Sequence, residues 1–255
     1  MAVVVLTGPG HAPGVTTTAL GLGLSWPADV LVADCDRAPT QAVLAGYLRG
    51  VDAGHRGLGH ALQAHRERRP LEDVIAADAL ALDEAVGVRR RFLPGFPHPG
   101  TVGLFAGAWP DLMAAFAGQP GDVIVDAGQV GAEGLPAAVT TDADAVLVVV
   151  RTSLVALVAL RLYLPLVLEA AGEARTGLLL IGEGQPYSSG EVVQQFGVPV
   201  WASVDHDPQR AAVLSDGAAP PRRFGESGFG RSLGRAASAI HGRLAESRRL
   251  IGAPR

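Results

Sequence analysis

The sequence predicts an α/β fold: a doubly wound, mostly parallel sheet with helices on both faces. Short apolar runs alternate with longer stretches of helical periodicity, which is the pattern of successive βαβ units. The runs are hydrophobic at consecutive positions, as expected of strands that are buried on both faces. The chain has 255 residues, of which 48% are hydrophobic, so it can bury one substantial core. We therefore expect a single domain over residues 1–250 and a short tail over residues 251–255.

Each predicted strand is a short aliphatic run, and together the strands cover residues 3–7, 30–33, 91–93, 122–126, 145–150, 177–181 and 198–202. The predicted helices lie between and after them, at residues 16–24, 40–48, 58–66, 110–116, 154–169, 189–196, 209–214 and 229–248. Two stretches rich in proline and glycine, 93–100 and 216–228, are predicted as loops at the sheet edge. In the last helix one apolar stripe is expected to pack on the sheet; it consists of Leu233, Ala237, Ile240 and Leu244.

Composition excludes several classes of function. The net charge is −4 and the pI is near 6.0, so the chain has no general attraction to nucleic acid or anionic lipid. No uninterrupted apolar run reaches the roughly 18 residues of a spanning helix, and the N-terminus enters a strand without a basic leader. Cys35 is the single cysteine, which rules out an internal disulfide and is compatible with a reducing compartment. We expect a cytoplasmic protein that does not bind DNA and associates with membranes at most peripherally.

The most informative segment follows the first strand, where residues 8–17 read GPGHAPGVTT. Such a strand, glycine-rich loop and helix start resemble the phosphate-binding motif GxxxxGK[ST]. In that motif backbone N–H groups point at phosphate oxygens, the lysine neutralises the terminal phosphates, and the hydroxyl holds Mg²⁺. Here the second glycine is kept as Gly14 and the hydroxyl as Thr16. The sequence therefore predicts a loop shaped for phosphate.

Three departures weaken that loop. Pro9 takes the place of the first glycine, Pro13 removes a possible N–H donor, and Val15 stands where the motif needs lysine. All 21 Lys+Arg residues are arginines; the codon bias of a GC-rich genome explains that excess, but not a valine at this position. A charge-assisted hydrogen bond contributes about 1.5 to 3 kcal/mol, so the missing lysine alone should weaken triphosphate binding by about ten- to a hundredfold. Catalysis should suffer more, because the lysine also offsets charge in the transition state.

Acidic residues end two further predicted strands. Asp34 and Asp36 follow the second strand, and Asp126 ends the strand at 122–126. Ligands of open α/β sheets bind beyond the carboxyl ends of the strands, so these carboxylates would face the same crevice as Gly14. In a nucleotide hydrolase they would complete a Mg²⁺ shell and position water. The alternative is that Asp34 and Asp36 cap the helix entered at Thr40.

In this order the motifs resemble the MinD/ParA branch of the deviant-Walker-A P-loop ATPases, over nearly the whole chain. The family pattern KGGxGKTT falls on residues 10–17, so both the signature lysine and the P-loop lysine are missing, at Gly10 and Val15. The Asp-x-Asp at residues 34–36 resembles the family's switch I, and the Asp-x-Gly at residues 126–128 resembles its Walker B and switch II. Residues 198–207, followed by residues 215–217, resemble the stretch near the family's base pocket. Residues 178–183 contain no asparagine to read adenine.

The resemblance implies the following site. Nucleotide would contact Gly10, His11, Gly14, Val15, Thr16 and Thr17. If a nucleotide binds, Mg²⁺ would be held by Thr16, Asp34 and Asp126, and Asp36 would be the catalytic residue of any hydrolysis. Family members dimerise over two ATP molecules, and both lysines of that cycle are absent here. ATP or ADP with Mg²⁺ is therefore expected as an optional rather than a required ligand.

Our leading hypothesis is a catalytically impaired MinD/ParA-like bacterial protein with weak or no ATP hydrolysis. It would act as a scaffold or spatial-positioning factor through protein contacts, with itself or with an active paralogue, in the cytoplasm or at a cell pole. The alternative is a working ATP-dependent dimerisation switch in which His11, Arg37 or Arg151 replaces the lysine. An enzyme like the amidoligase relatives of this fold ranks last, because those enzymes need an intact loop.

Overall fold

The computed structural model describes residues 1–10, 14–83 and 87–252. Eight strands form one sheet in the order β3-β4-β2-β5-β1-β6-β7-β8. The strands are β1 (Val3–Gly8), β2 (Val30–Asp34), β3 (Leu80–Ala81), β4 (Arg90–Leu93), β5 (Asp122–Gln129), β6 (Ala145–Arg151), β7 (Thr176–Ile181) and β8 (Val200–Val204). All neighbouring pairs are parallel except β3 with β4. The predicted doubly wound α/β fold is confirmed.

Helices cover both faces of the sheet. They are α1 (Val15–Leu24), α2 (Ala42–Ala45), α3 (Leu58–Arg66), α4 (Leu71–Asp78), α5 (Trp109–Ala117), α6 (Ala137–Thr141), α7 (Leu154–Ala171), α8 (Ser189–Phe196), α9 (Pro208–Ser215) and α10 (Gly228–Gly252). Short 3₁₀ turns occur at Pro99–Thr101, Gly103–Ala108, Glu173–Arg175 and Phe224–Glu226.

Alternation along the strands divides the interior into two cores. In β1, Val3 and Val5 face the core under α3 to α8, whereas Val4 and Leu6 face the core under α1, α2, α9 and α10. This is the period of two that a strand imposes on its side chains. Because both sides are covered, parallel strands need no polar face, and the consecutive hydrophobic runs in the sequence follow from that.

The C-terminal helix closes the second core. The predicted stripe of α10, which consists of Leu233, Ala237, Ile240 and Leu244, is buried against the sheet side that also holds α1. The packing prediction for this helix is therefore confirmed. The helix continues to Gly252, so regular structure extends past the expected end of the domain at residue 250.

Helix α7 has a composition close to that of a membrane span. Over its 18 residues the mean hydropathy is 2.0, and 39% of it is buried. The helix is therefore long and apolar enough to cross a membrane by length and composition, although Arg161 and Glu169 interrupt its apolar run. One side of the helix packs on the sheet through Ala156, Leu160 and Leu164, and the other side is exposed.

Several predicted boundaries were wrong. The helix predicted at 40–48 shortens to Ala42–Ala45, and its C-cap residue Gly46 lies against the backbone of Ser215, where a Cβ would meet the Ser215 carbonyl oxygen at 2.3 Å. The last strand begins at Val200 rather than at residue 198, since Pro199 has no N–H for the ladder. Helices α4 and α6 and the antiparallel strand β3 were not predicted.

Candidate functional site at the carboxyl edge of the sheet

The loop predicted to bind phosphate joins β1 to α1 at the carboxyl edge of the sheet. Gly10 and Gly14 have φ angles of 102° and 86°, which glycine adopts without the strain that a Cβ would add. Gly14 is the N-cap of α1, and its carbonyl accepts the Thr18 N–H at 2.8 Å. His11, predicted as a nucleotide contact and as a possible replacement cation, lies outside the described residues.

Val15 opens helix α1 and belongs to the hydrophobic core. Its side chain is only 6% exposed and packs in the same core as Leu6 and Ala19. A short apolar side chain is satisfied there by burial alone. The position that carries the lysine in the phosphate-binding motif therefore contributes to the hydrophobic core and supplies no positive charge.

The three aspartates predicted from the strand ends come together next to this loop. Asp34 lies opposite Asp126 in the parallel register of β2 with β5, and the Cys35 N–H donates to the Asp126 carbonyl oxygen at 2.8 Å. Asp36 packs against Gly128, so closely that a Cβ at this glycine would lie 2.0 Å from Asp36 Oδ1. The contact that joins these carboxylates to the loop is the hydrogen bond from the Thr16 hydroxyl to Asp126; a common crevice with Gly14 stays a prediction.

The alternative that Asp34 and Asp36 cap the helix entered at Thr40 was wrong. Helix α2 begins at Ala42, and its N-cap residue Gln41 makes no side-chain cap. The carboxylates instead fold the loop after β2. Asp34 Oδ1 accepts the Asp36 N–H at 3.2 Å, and Asp36 Oδ1 accepts the Ala38 N–H at 2.9 Å, which are Asx-type turns.

Burial dominates the electrostatics of the two strand-end acids. Desolvation, and then the charge of Asp126, raise the pKa of Asp34 to about 8. Desolvation also raises the pKa of Asp126, while hydrogen bonds from the Thr16 hydroxyl and the Gly128 N–H act in the opposite direction. No arginine is among the groups that shift these two pKa values in the described part of the chain. The crevice is acidic and lacks a compensating cation at these positions.

The acid and hydroxyl groups fit part of a Mg²⁺ site. Asp126 Oδ2 is buried without a hydrogen-bond partner, and the Thr16 hydroxyl bonds to the same carboxylate. Hydroxyl and carboxylate oxygens are the ligands that Mg²⁺ prefers. However, no group of three His, Cys, Asp or Glu side chains in the described ranges is arranged to hold a metal ion. These oxygens would need phosphate oxygens and water to complete a shell.

Arg37, one candidate replacement cation, is engaged elsewhere. Its Nη2 donates to the carbonyl oxygens of Val130 and Gly134 at 2.7 Å each and to that of Gln129 at 3.3 Å. It therefore ties the loop after β5 to the loop after β2. A guanidinium with this many backbone acceptors is held away from the phosphate loop, so its role here is structural.

Arg151, the other candidate, lies nearer to the loop. It ends β6 and lines a cavity of about 150 Å³ together with Gly14, Thr17 and His206. Its Nη2 is 3.5 Å from His206 Nδ1, and desolvation together with Arg151 lowers the pKa of that histidine. Pockets for whole small-molecule ligands commonly measure about 300 to 1,000 Å³, so this cavity is smaller than a pocket that encloses a whole nucleotide.

His206 was not singled out from the sequence as part of this cavity. The strand β8 that precedes it was predicted, and parallel strands deliver the residues after them to one edge of a sheet. That rule could have predicted that a residue following β8 lies at this edge of the sheet. The neighbouring Asp207 caps α9 by accepting the Arg210 N–H at 3.0 Å, which accounts for its place.

Solved structures share this architecture over nearly their full length. A ParA family ATPase from Chlorobium tepidum has a TM-score of 0.74 at 16% identity, with 94% of this chain and 99% of that chain covered. The chain has a MinD/ParA-like fold. MinD of Aquifex aeolicus in a MinC:MinD complex has a TM-score of 0.66 at 15% identity, covering 95% of this chain and 96% of that chain. MinD of Pyrococcus horikoshii complexed with Mg-ADP has a TM-score of 0.62 at 19% identity, covering 94% and 95%.

No protein-family profile and no curated protein matches the sequence significantly. Identities below 20% show the MinD/ParA-like fold and leave the chemistry to this chain's own residues.

Proposed function

We propose that this chain is a MinD/ParA-like protein that works through protein contacts, as a scaffold or positioning factor, with weak or no ATP hydrolysis. The solved structures with this fold include a ParA family ATPase and the cell division protein MinD in a complex with another protein, MinC. A positioning role supported by protein partners is the function that this likeness favours.

The observation that carries the loss of catalysis is the buried Val15 at the head of α1. Its side chain contributes to the core, and Gly10 stands at the second position where the resemblance expects a lysine. Triphosphate binding beside Asp34 and Asp126 would bring negative charge to an acidic, desolvated crevice without those cations. Both the affinity for nucleotide and the rate of hydrolysis should be low for that reason.

The small cavity next to Gly14 supports the same proposal. Its wall includes Ile181 and Phe229, and the strand that ends at Ile181 is followed by Gly182 and Glu183 rather than by an adenine-reading asparagine. An MgATP complex would have to enlarge this cavity, and the free energy of that change would reduce the affinity further.

The second candidate function is a working ATP-dependent switch. The position of Arg151 in the cavity wall favours it. The guanidinium faces the cavity that Gly14 and Thr17 also line, and arginine binds phosphate well. In that case Thr16, Asp34 and Asp126 would hold Mg²⁺, and Asp36 would orient the attacking water.

Phosphate release from MgATP tests the proposal against the alternative. The full chain is compared with Asp36→Ala and Arg151→Ala, and the matched control is Arg56→Ala on an exposed loop. We expect all four proteins to release phosphate at the same background rate. Turnover that Asp36→Ala or Arg151→Ala abolishes, and that Arg56→Ala preserves, would establish the switch instead.

A further inference from the structure

Helix α7 carries an apolar face that the described part of the chain leaves uncovered. Its side chains recur at steps of about four residues, which places them on one side of a helix. Leu162, in the middle, is 69% exposed, although large aliphatic side chains are usually buried. We call this set the α7 stripe; it consists of Leu154, Val155, Val158, Leu162 and Leu166.

The α7 stripe continues into a groove. A depression of about 700 Å³ lies between α7 and α8, and Leu157, Tyr187 and Phe196 line it together with Leu154 and Val158 of the stripe. The uncovered surface is therefore a ridge with an adjoining concave region, a shape that a second ridge can fill.

The exposed apolar area of the α7 stripe is comparable with the apolar area that one partner buries in a dimer interface. The stripe exposes an apolar area on the order of 500 Å², near the upper end of what monomeric proteins leave in water. A standard interface buries about 800 Å² per partner, and in homodimers about 65% of that area is apolar. The stripe alone would supply most of the apolar part of one such interface.

The charges on α7 are complementary to those of a second copy. Arg161 and Glu169 are the helix's two charged residues, and neither has an ion-pair partner among the described residues. They are eight residues apart, or about 12 Å along the axis. If two helices pack antiparallel about Pro165, each arginine lies near the second copy's glutamate. Such pairs add little affinity but fix orientation and register.

We propose that the α7 stripe is the contact between two copies of this chain, in a two-fold dimer that forms without nucleotide. A membrane would also accept the apolar side chains, but it would gain nothing from the balanced charges of Arg161 and Glu169. The dimer does not depend on the proposed loss of ATP hydrolysis, because it uses no residue of the phosphate loop.

Sedimentation velocity of the full chain without nucleotide, from about 1 to 100 μM, tests the dimer over the common range of dissociation constants. We expect the wild type to dimerise and Leu162→Glu to raise the dissociation constant at least tenfold. The matched control is Leu104→Glu, which changes another exposed leucine outside the stripe and should leave the dimer intact. A wild type that stays monomeric at the highest concentration, or a Leu162→Glu dimer as tight as the wild type, would overturn the proposal.

A charge exchange separates self-association from other uses of the face. Arg161→Glu and Glu169→Arg should each weaken the dimer severalfold, and the double exchange should restore it, because the pairs reform with reversed sign. If the double variant is weaker than both single variants, the antiparallel pairing is wrong. Co-sedimentation with vesicles of phosphatidylethanolamine and phosphatidylglycerol, abolished by Leu162→Glu, would assign the stripe to a membrane and overturn the dimer.

Discussion

Asp34 lies directly opposite Asp126 across the β2–β5 pair, and both carboxyl groups are buried. Asp34 is 8% exposed and Asp126 is 2% exposed. Such a pair is unfavourable when both groups are ionised, since each has lost water and gained a like charge. The raised pKa of Asp34 is the direct consequence of this arrangement.

Stability should therefore depend on pH through Asp34. Its pKa rises from an ordinary value of 3.8 to about 8, so the folded state holds the proton more tightly than the unfolded state. The contribution to stability is complete below about pH 4 and is lost as the pH rises toward 8.

The substitution Asp34→Asn removes this dependence. Near pH 4 and below, the variant and the wild type should have similar Tm values, because the wild-type carboxyl group is then protonated in the folded state and largely protonated in the unfolded state, and a protonated aspartate resembles asparagine. At pH 8 the variant should melt at a higher temperature, and each 1 kcal/mol that the wild type has lost corresponds to roughly 2 to 4 °C for a domain of this size. Thermal melts at both pH values measure the difference. A Tm difference that stays constant between pH 4 and 8 would contradict the assigned pKa shift.

Gly128 should tolerate no side chain. Its φ angle is 61°, and a Cβ would lie 2.0 Å from Asp36 Oδ1. We expect Gly128→Ala to destabilise the fold by about 3 kcal/mol, from the clash together with the backbone strain. Gly50→Ala is the control, because Gly50 also has a positive φ angle, 77°, but nothing within 4 Å of its Cβ position. It should lower stability by only about 1 kcal/mol.

The clash at Gly128 can be separated from the strain. In the double variant Asp36→Ala with Gly128→Ala the obstructing carboxylate is gone, so most of the excess over the Gly50 control should be recovered. Urea unfolding of the two single variants and the double variant gives the coupling energy. Additive effects would show that Asp36 does not pack against Gly128.

Arg37 should contribute to the stability of the fold and not to any response to ATP. Arg37→Ala deletes the bonds to the carbonyl oxygens of Gln129, Val130 and Gly134. At about 1 kcal/mol for each good bond, the variant should lose roughly 2 to 3 kcal/mol. Urea unfolding measures this loss, and the exposed Arg56→Ala should stay within about 0.5 kcal/mol of the wild type. A normal stability combined with a changed response to ATP would make Arg37 a phosphate ligand instead.

The sequence predicted the fold because the strands are apolar at consecutive positions. Runs such as residues 145–150 can be satisfied only between two covered faces, so they indicate a parallel sheet and helices on both sides. The acids after β2 and β5 converge for the same reason, since parallel strands end at one edge. Short elements carried no such signal. Strand β3 has two residues, too few for any periodicity to be read.

The groups that each side chain of the site contacts could not be predicted from the sequence. Arg37 and Arg151 are equivalent in the sequence as cations near strand ends, yet one bonds to backbone carbonyl groups and the other lines a cavity next to His206. The difference comes from loops that are distant in sequence, because Val130 and Gly134 lie about a hundred residues after Arg37. Such tertiary contacts override local pattern.

Loss of nucleotide binding through the missing lysine is tested by titrating the wild type and Val15→Lys with mant-ATP and Mg²⁺. We expect no saturable signal from the wild type below about 100 μM, because the loop has no lysine and the acidic crevice repels triphosphate. Gained binding in Val15→Lys would show that the rest of the pocket accepts nucleotide and that the missing charge is the cause. Saturable binding to the wild type tighter than about 10 μM, near −7 kcal/mol, would show instead that this loop binds triphosphate without its lysine.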